Sequence, residues 1–287
     1  MYSSEPKTAP PLSLWIALAF VVVLMIPVVH KSAIIITAKE FEKKAIYVQQ
    51  RIQAAGTRPI IAFVGTSLTA YGMDASDSIE IDIERITGIR PVVVKIWRRS
   101  TTLETMVNAM PVIEKMHPDI LVVEGNMLIT GSIKTNTTRK FRNALSNVAR
   151  FPFVNNEYLP DYISMRDVKR KAEKVTLARY RAGIADTSEL TSFKQLAMRL
   201  QQAGTRILLV DFPLENTMEL RKWTAKNAGL INRNIEYITK DVAAKHYSPF
   251  VDWDSTHFVD GGHMNKQGRR AFSDWLCLEL SNEMGHK

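Results

Sequence analysis

The most informative segment of this chain for its fold is Ile60-Ile61-Ala62-Phe63-Val64-Gly65-Thr66-Ser67-Leu68. Its first five residues form a continuous apolar run, which is typical of a strand buried on both faces of a parallel sheet. Gly65 permits a sharp turn after that strand, and a helix is expected to follow. This geometry lifts the Ser67 hydroxyl above the carboxyl edge of the sheet, toward which helix N–H groups also point. Ser67 is therefore a candidate nucleophile, and the alternative is a serine that only caps a helix.

Further apolar runs and helical patterns alternate along the chain, which predicts an α/β fold with a central parallel sheet. Ligands of such sheets gather at the carboxyl ends of the strands. Asn126 follows the third predicted strand and falls at the same edge as Ser67, where its amide could donate to an oxyanion or serve a turn. The other predicted strands are residues 91–96, 119–123, 206–210 and 250–253, with helices at 103–116, 192–203 and a long region ending near His246.

A second motif, Asp260-Gly261-Gly262-His263, lies near the C-terminus and precedes a helical pattern. The glycine pair lets a tight loop fold the carboxylate back onto the imidazole. A carboxylate on one ring nitrogen fixes the tautomer and leaves the other nitrogen to take a proton from a nucleophile. Asp260 and His263 therefore predict a catalytic pair with Ser67 as its partner, and the alternative is a helix-capping Asp beside a surface His.

Composition supports one substantial core with an appendage, because 46% of the 287 residues are hydrophobic. The formal net charge of +9 favours an anionic partner such as a membrane surface or an acidic polymer. Nucleic acid is not expected, since no zinc-knuckle, RNP-like or helix-turn-helix signature is present. Cys277 is the only cysteine, so the chain forms no internal disulfide, and a buried apolar role is predicted for it.

The N-terminal part is predicted to be a membrane anchor. After a polar tail at 1–11, residues 12–30 are apolar up to His30, and eighteen apolar residues just cross a hydrocarbon core of roughly 30 Å. A cleaved signal peptide is one alternative, but the following residues make a poor cleavage site. A buried helix of a soluble domain is the other, and it is not expected at the extreme N-terminus. A connecting helix at 31–57 and a catalytic domain at 58–287 complete the predicted domains.

An insertion at about 130–188 interrupts the α/β alternation and is rich in Arg, Lys and Asn. Long insertions near active sites are often functional, so a lid or a docking surface is predicted. A solvated helical excursion fits the same composition.

Together, Gly65-Thr66-Ser67-Leu68 and Asp260-Gly261-Gly262-His263-Met264-Asn265, with Gly268 after it, resemble two sequence blocks of the SGNH (GDSL-like) hydrolase superfamily. The resemblance covers roughly residues 58–285. It implies a three-layer α/β/α, flavodoxin-like fold with a central parallel sheet. It also implies that Ser67 is the nucleophile, that His263 is a base oriented by Asp260, and that the Ser67 N–H and Asn126 form an oxyanion hole.

Two blocks depart from the family pattern. The family usually has a glycine after the second strand, where this chain has Trp97-Arg98-Arg99-Ser100 with Ser100 as the nearest donor. The family also has Gly-x-Asn-Asp after the third strand, where this chain has Glu124-Gly125-Asn126-Met127. These departures concern the oxyanion hole, in which one missing donor typically costs about a hundred- to a thousandfold in turnover.

The resemblance implies a serine acyl-hydrolase or O-acyltransferase, with acetyl as the expected group, that acts on a cell-envelope or exopolysaccharide glycan without cofactor or metal. A multi-spanning acyl-donor protein is the partner that such a layout implies. We therefore expect a single-pass protein of a bacterial inner membrane with its catalytic domain in the periplasm. The positive-inside count opposes this orientation, because one lysine precedes the predicted span and Lys31, Lys39, Lys43 and Lys44 follow it.

Three alternatives stay open at this point. The same triad would serve a lipid-directed esterase or thioesterase, for which an apolar pocket is expected instead of an open polar groove. A degenerate SGNH domain could bind polysaccharide or act as a scaffold in a synthase complex. A metal site is the third alternative and would use Asp252, Asp254, His257, Asp260 and His263.

Overall fold

The computed structural model describes residues 11–97, 109–129, 187–216, 225–249, 252–260 and 262–285. Within these ranges, five parallel strands form one sheet in the order β2-β1-β3-β4-β5. This is the strand order of flavodoxin-like doubly wound folds, so the predicted α/β fold with a central parallel sheet is confirmed. The strands are β1 (Ile60–Gly65), β2 (Val92–Trp97), β3 (Ile120–Glu124), β4 (Arg206–Val210) and β5 (Lys245–Tyr247).

Helices cover both faces of the sheet. Side chains that alternate along β1 divide between two cores, Ile61 and Phe63 on one face and Ala62 and Val64 on the other. A strand buried on both faces is apolar throughout, which is why the run at 60–64 predicts β1 so closely. The helices are α1 (Leu12–Gln53), α2 (Ser67–Tyr71), α3 (Ser76–Thr87), α4 (Met110–Met116), α5 (Gly125–Ile129), α6 (Thr187–Gln202), α7 (Ala225–Val242) and α8 (Lys266–Gly285).

The chain divides into two compact units, and the larger comprises Phe41–Lys134 and Tyr158–Lys287. The C-terminal part of α1 belongs to this unit, where Val48 is buried in the core. Arg51 fastens it further, because its guanidinium donates to the Val93 carbonyl at 3.0 Å and to Glu80 at 2.6 Å. The end of the predicted connecting helix is therefore packed into the larger unit.

The smaller unit comprises Met1–Glu40 and Thr135–Glu157, of which the structure describes residues 11–40. These residues form the N-terminal part of α1, a continuous helix with Pro27 inside it. In the described parts of the chain, no helix is long and apolar enough to cross a membrane. The prediction of a transmembrane anchor at residues 12–30, and with it a single-pass inner-membrane location, is not supported.

The fifth strand is a correction to the sequence prediction. We predicted a strand at 250–253, of which residues 252 and 253 are described and form no strand. The strand is Lys245–Tyr247, which pairs with β4 at the edge of the sheet. Trp253 instead packs against Phe272 of α8, which explains its apolar neighbourhood without a strand. The predicted insertion lies outside the described residues, apart from the beginning of α6.

Candidate active site

The turn between β1 and α2 presents Ser67 at the carboxyl edge of the sheet. Thr66 caps the helix, because its hydroxyl accepts a hydrogen bond from the Leu68 N–H at 3.1 Å. Side-chain capping of a free N–H is the ordinary way to start a helix, and here the cap residue directly precedes Ser67. The turn therefore orders the residues on both sides of Ser67.

Gly65 is required because the turn approaches β3 closely. A Cβ atom at this position would lie 1.9 Å from the Thr69 Oγ1 and 2.4 Å from the Glu124 Oε2. No side chain fits such a gap. The glycine of the nucleophile block therefore serves close packing under the turn.

Ser67, His263 and Asp260 form one hydrogen-bonded chain. The His263 Nε2 lies 3.1 Å from the Ser67 Oγ, and the His263 Nδ1 lies 2.9 Å from the Asp260 Oδ2. The three predicted residues thus come together from opposite ends of the chain. In this geometry the carboxylate orients the ring and the opposite nitrogen can accept the serine proton.

The Asp260 carboxylate is held in its ionised form. Burial alone would raise its pKa, but the His263 ring and the backbone N–H groups of Gly262 and His263 together lower the pKa to about 2. Those N–H groups donate to the Asp260 Oδ1 at 3.0 and 2.8 Å. A permanent negative charge therefore faces His263 throughout the neutral pH range.

The trailing residues of the same block have structural roles. Asn265 precedes α8, accepts from the Gly268 N–H at 3.0 Å and donates to the Thr256 carbonyl at 2.5 Å. A Cβ at Gly268 would lie 2.2 Å from the His257 carbonyl oxygen. Both residues close the loop that carries Asp260 and His263 onto the start of α8.

Tyr71 is a site residue that the sequence reasoning missed. Its ring meets the His263 ring edge-on, with centroids 5.3 Å apart, and it is buried. Tyr71 follows Ser67 by four residues, and residues at this spacing share one face of a helix. This spacing, on the helix expected after Ser67, could have indicated that Tyr71 lies on the same side of the helix as the nucleophile.

Asn126 makes a different contact from the one predicted. Its side-chain amide donates to the Phe212 carbonyl at 3.0 Å and accepts from the Phe212 N–H at 3.0 Å. This pairing joins the ends of β3 and β4, and the Phe212 ring lies under Gly72 at the end of α2. These contacts are structural, so an oxyanion role for Asn126 stays a prediction. Ser100 lies outside the described residues.

Glu124, the last residue of β3, is the second residue that the sequence reasoning missed. Its buried carboxylate accepts from the N–H and the hydroxyl of Thr66, both at 2.7 Å. It also accepts from the N–H of Thr69 at 3.2 Å and from the Thr69 hydroxyl at 2.7 Å. Burial raises the pKa of Glu124 against the opposing effect of these hydrogen bonds.

The metal alternative is not supported by these contacts. Asp254 accepts from the Thr256 N–H and lies 3.0 Å from the His257 Nδ1, while Asp260 pairs with His263. Across the described ranges, no group of three or more His, Cys, Asp or Glu side chains could hold a metal ion. Asp254 and His257 repeat the Asp-x-x-His spacing, but the contact with Ser67 belongs to His263.

An open groove of about 520 Å³ borders the catalytic loop. Its described lining comes from the residues immediately before and after Asp260 and His263, and most of these side chains are polar. The lining residues are Ser255, Thr256, Phe258, Val259, Asn265, Lys266 and Gln267.

Neither models of protein families nor curated proteins match this chain. Solved structures do. A psychrotrophic esterase from Pseudoalteromonas is 12% identical with a TM-score of 0.45, and the match covers 79% of this chain and 99% of that one. A GDSL-like lipase from Bacteroides thetaiotaomicron is 10% identical with a TM-score of 0.43, covering 85% and 99%.

A family two carbohydrate esterase from Clostridium thermocellum, in complex with cellohexaose, is 13% identical with a TM-score of 0.44. That match covers 79% of this chain and 65% of the esterase. By their descriptions, these three neighbours are two esterases and one lipase. At such identities and TM-scores, these similarities assign neither the fold nor the chemistry of this chain, which rest on its own sheet and side chains.

Proposed function

We propose that this chain is an SGNH-type serine esterase or O-acyltransferase. The observation that carries the proposal is the hydrogen-bonded chain from Asp260 through His263 to Ser67, with 2.9 and 3.1 Å between the paired atoms. Nucleophile, base and orienting carboxylate at these distances are the parts that nucleophilic acyl transfer needs.

The reaction follows from these parts. His263 takes the Ser67 proton at Nε2 while the Ser67 oxygen forms a bond to the ester carbonyl carbon. The tetrahedral intermediate collapses when the imidazolium gives that proton to the departing alkoxide, which leaves an acyl group on Ser67. Water or a sugar hydroxyl then attacks the acyl carbon and gives its proton to His263, and His263 passes this proton to the Ser67 oxygen as the Ser67–acyl bond breaks.

The negatively charged oxygen of the tetrahedral intermediate needs hydrogen-bond donors. We assign the Ser67 N–H as the first, because it begins α2 directly at the nucleophile. Asn126 and Ser100 remain the proposed additional donors. Each accounts for a factor of about a hundred to a thousand in turnover where it acts.

The proposed acceptor is a glycan. The groove beside the catalytic loop is open and has the polar side chains of Ser255, Thr256 and Asn265 in its lining, which fits a polyhydroxyl ligand, whereas an enclosed apolar pocket is expected for a lipid chain. Lys266 in that lining and the net charge of +9 favour an anionic glycan.

The test is hydrolysis of p-nitrophenyl acetate by the full chain and by Ser67→Ala and His263→Ala. Each substitution should lower kcat by at least about 10⁴-fold, because triad members act as a unit. His257→Ala is the matched control, since it removes a histidine from the same Asp-x-x-His spacing outside the triad, and it should keep the wild-type rate. Wild-type turnover that survives Ser67→Ala would refute the proposed nucleophile.

The acceptor is tested separately by mass spectrometry. Acetylated Ser67 should accumulate with the chromogenic ester, and added anionic oligosaccharide should shorten its lifetime and become acetylated. Lys266→Ala should weaken this transfer without changing hydrolysis of the small ester. If no oligosaccharide shortens the lifetime of the acyl-enzyme and water is the only acceptor, the result would favour an esterase without transferase activity.

A further inference from the structure

The turn that carries Ser67 contacts a buried carboxyl group that does not belong to the triad. Glu124 is 1% exposed and lies at the end of β3, fifty-eight positions after Thr66. A buried carboxylate is costly unless hydrogen bonds compensate for its lost hydration. Its partners therefore indicate what it is for.

Among the described residues, the carboxylate accepts hydrogen bonds from Thr66 and Thr69, on the two sides of Ser67. Oε2 accepts from the N–H groups of Thr66 and Thr69 and from the Thr69 hydroxyl, while Oε1 accepts from the Thr66 hydroxyl. Hydrogen bonds to a charged acceptor are about twice as strong as neutral ones. The backbone is thus fixed one residue before and two residues after the nucleophile.

The pattern of donors fits the ionised carboxylate. Both N–H groups can only donate, so Oε2 carries no proton. The Thr66 hydroxyl already accepts from the Leu68 N–H at 3.1 Å, so its own hydrogen is directed to Oε1. A proton on Oε1 would leave that hydroxyl hydrogen without an acceptor in this set.

The same set of contacts uses the N–H groups of the turn on both sides of Ser67 but not the N–H of Ser67 itself. Glu124 takes the N–H groups of Thr66 and Thr69, and the Thr66 hydroxyl takes that of Leu68. The Ser67 N–H has no part in these bonds, and it is the group that an oxyanion hole requires.

We propose that Glu124 is a positioning residue whose buried carboxylate holds the nucleophile turn, directs the Ser67 hydroxyl toward His263 and keeps the Ser67 N–H for the oxyanion. This rests on the serine-esterase function proposed above. We call the hydrogen bonds from Thr66 and Thr69 to Glu124 the clamp.

The test compares Glu124→Ala and Glu124→Gln with a matched control in the full chain. Glu124→Ala should lower kcat for p-nitrophenyl acetate at least about a hundredfold with little change in KM, because misplacement of a reacting group by about 1 Å has this effect. Glu124→Gln keeps one oxygen for the two N–H groups and should stay within about tenfold of wild type. Glu283→Ala removes another buried carboxylate far along the chain and should lower the melting temperature with kcat unchanged.

A crystal structure of Glu124→Ala gives a readout that does not depend on turnover. The distance between the Ser67 Oγ and the His263 Nε2, 3.1 Å in the wild type, should lengthen beyond hydrogen-bonding range. An unchanged distance, or a folded Glu124→Ala with wild-type kcat, would overturn the clamp and leave the serine-esterase proposal intact. Wild-type protein without Ser67-dependent turnover would instead remove the esterase proposal on which the clamp depends.

Discussion

At the scale of single residues, Asp260 combines orientation with charge. Its folded pKa of about 2 lies below the ordinary value of 3.8, so the ionised form stabilises the fold. This stabilisation is fully present above pH 3.8 and is lost as the pH falls through about 2. The difference corresponds to about 2 kcal/mol, since one pKa unit is worth about 1.4 kcal/mol.

Asp260→Asn should therefore lower the free energy of unfolding by up to about 2 kcal/mol at pH 7. The difference in the free energy of unfolding between the variant and the wild type should become smaller as the pH falls from about 4 toward 2, because the wild-type carboxylate then becomes protonated. Urea unfolding curves at pH 7 and at about pH 3 measure both values. Turnover should fall by about 10⁴-fold at neutral pH, since the imidazole loses its orienting partner. A stability difference that is the same at both pH values would contradict this account.

At the scale of elements, the β1–α2 turn depends on a backbone without a side chain at Gly65. Gly65→Ala would bring a Cβ to 2.4 Å from the Glu124 Oε2 and 2.8 Å from the Glu124 Cβ, so the clamp must shift. We expect a loss of about 1–3 kcal/mol from overpacking and a fall in kcat of about a hundredfold. Thermal unfolding and ester turnover measure the two effects.

Gly229→Ala is the control for this substitution. Gly229 lies within α7, and no atom of a neighbouring element among the described residues approaches within 4 Å of a Cβ built there. The substitution should stabilise the helix by about 0.5–1 kcal/mol and leave kcat unchanged. Equal effects of the two substitutions would show that close packing at Gly65 is unimportant.

Elements differ in how far the sequence predicts them. β1 and β4 match their predicted ranges to within one residue, because continuous apolar runs such as Ile60–Val64 mark strands buried on both faces. β5 was missed because it is an edge strand in which Lys245 is exposed and Tyr247 is only partly buried. Of the segment predicted in its place, Trp253 packs against Phe272 of α8.

The site shows the same division. Ser67, Asp260 and His263 could be predicted because short motifs with glycine at fixed spacing carry them. Glu124 contacts Thr69 across 55 positions of the sequence, and Asn126 contacts Phe212 across 86 positions, so no local sequence pattern predicts these contacts. Such contacts follow only from the order of strands in the sheet.

At the scale of the whole molecule, α8 closes one face of the sheet and carries the catalytic loop at its start. Its last part is fastened to the sheet edge, because the buried Glu283 accepts from the Lys245 Nζ at 2.6 Å and from the Tyr247 hydroxyl at 2.5 Å. Burial raises the pKa of Glu283, but the hydrogen bonds from Lys245 and Tyr247 outweigh it and lower the pKa below its ordinary value. α8 thus begins next to the catalytic loop and ends at the β5 edge of the sheet.

Cys277, in the middle of α8, reports when this helix leaves the sheet. It is the only cysteine of the chain, it is 1% exposed, and burial raises the pKa of its thiol to about 12. A disulfide reagent can therefore reach the thiolate only after α8 separates from α3, where the Cys277 Sγ lies 4.0 Å from the Ile79 carbonyl oxygen.

We expect labelling of the native chain to be at least about a thousandfold slower than in urea, since opening costs about 5 kcal/mol or more in a stable domain. Glu283→Ala should speed native labelling, because it releases the C-terminal end of α8 from β5, whereas the rate in urea should not change. Absorbance of the released aromatic thiolate follows both rates. Native labelling as fast as in urea would mean that α8 does not close this face in solution, and the loop bearing Asp260 and His263 would then lack the support on which the triad geometry depends.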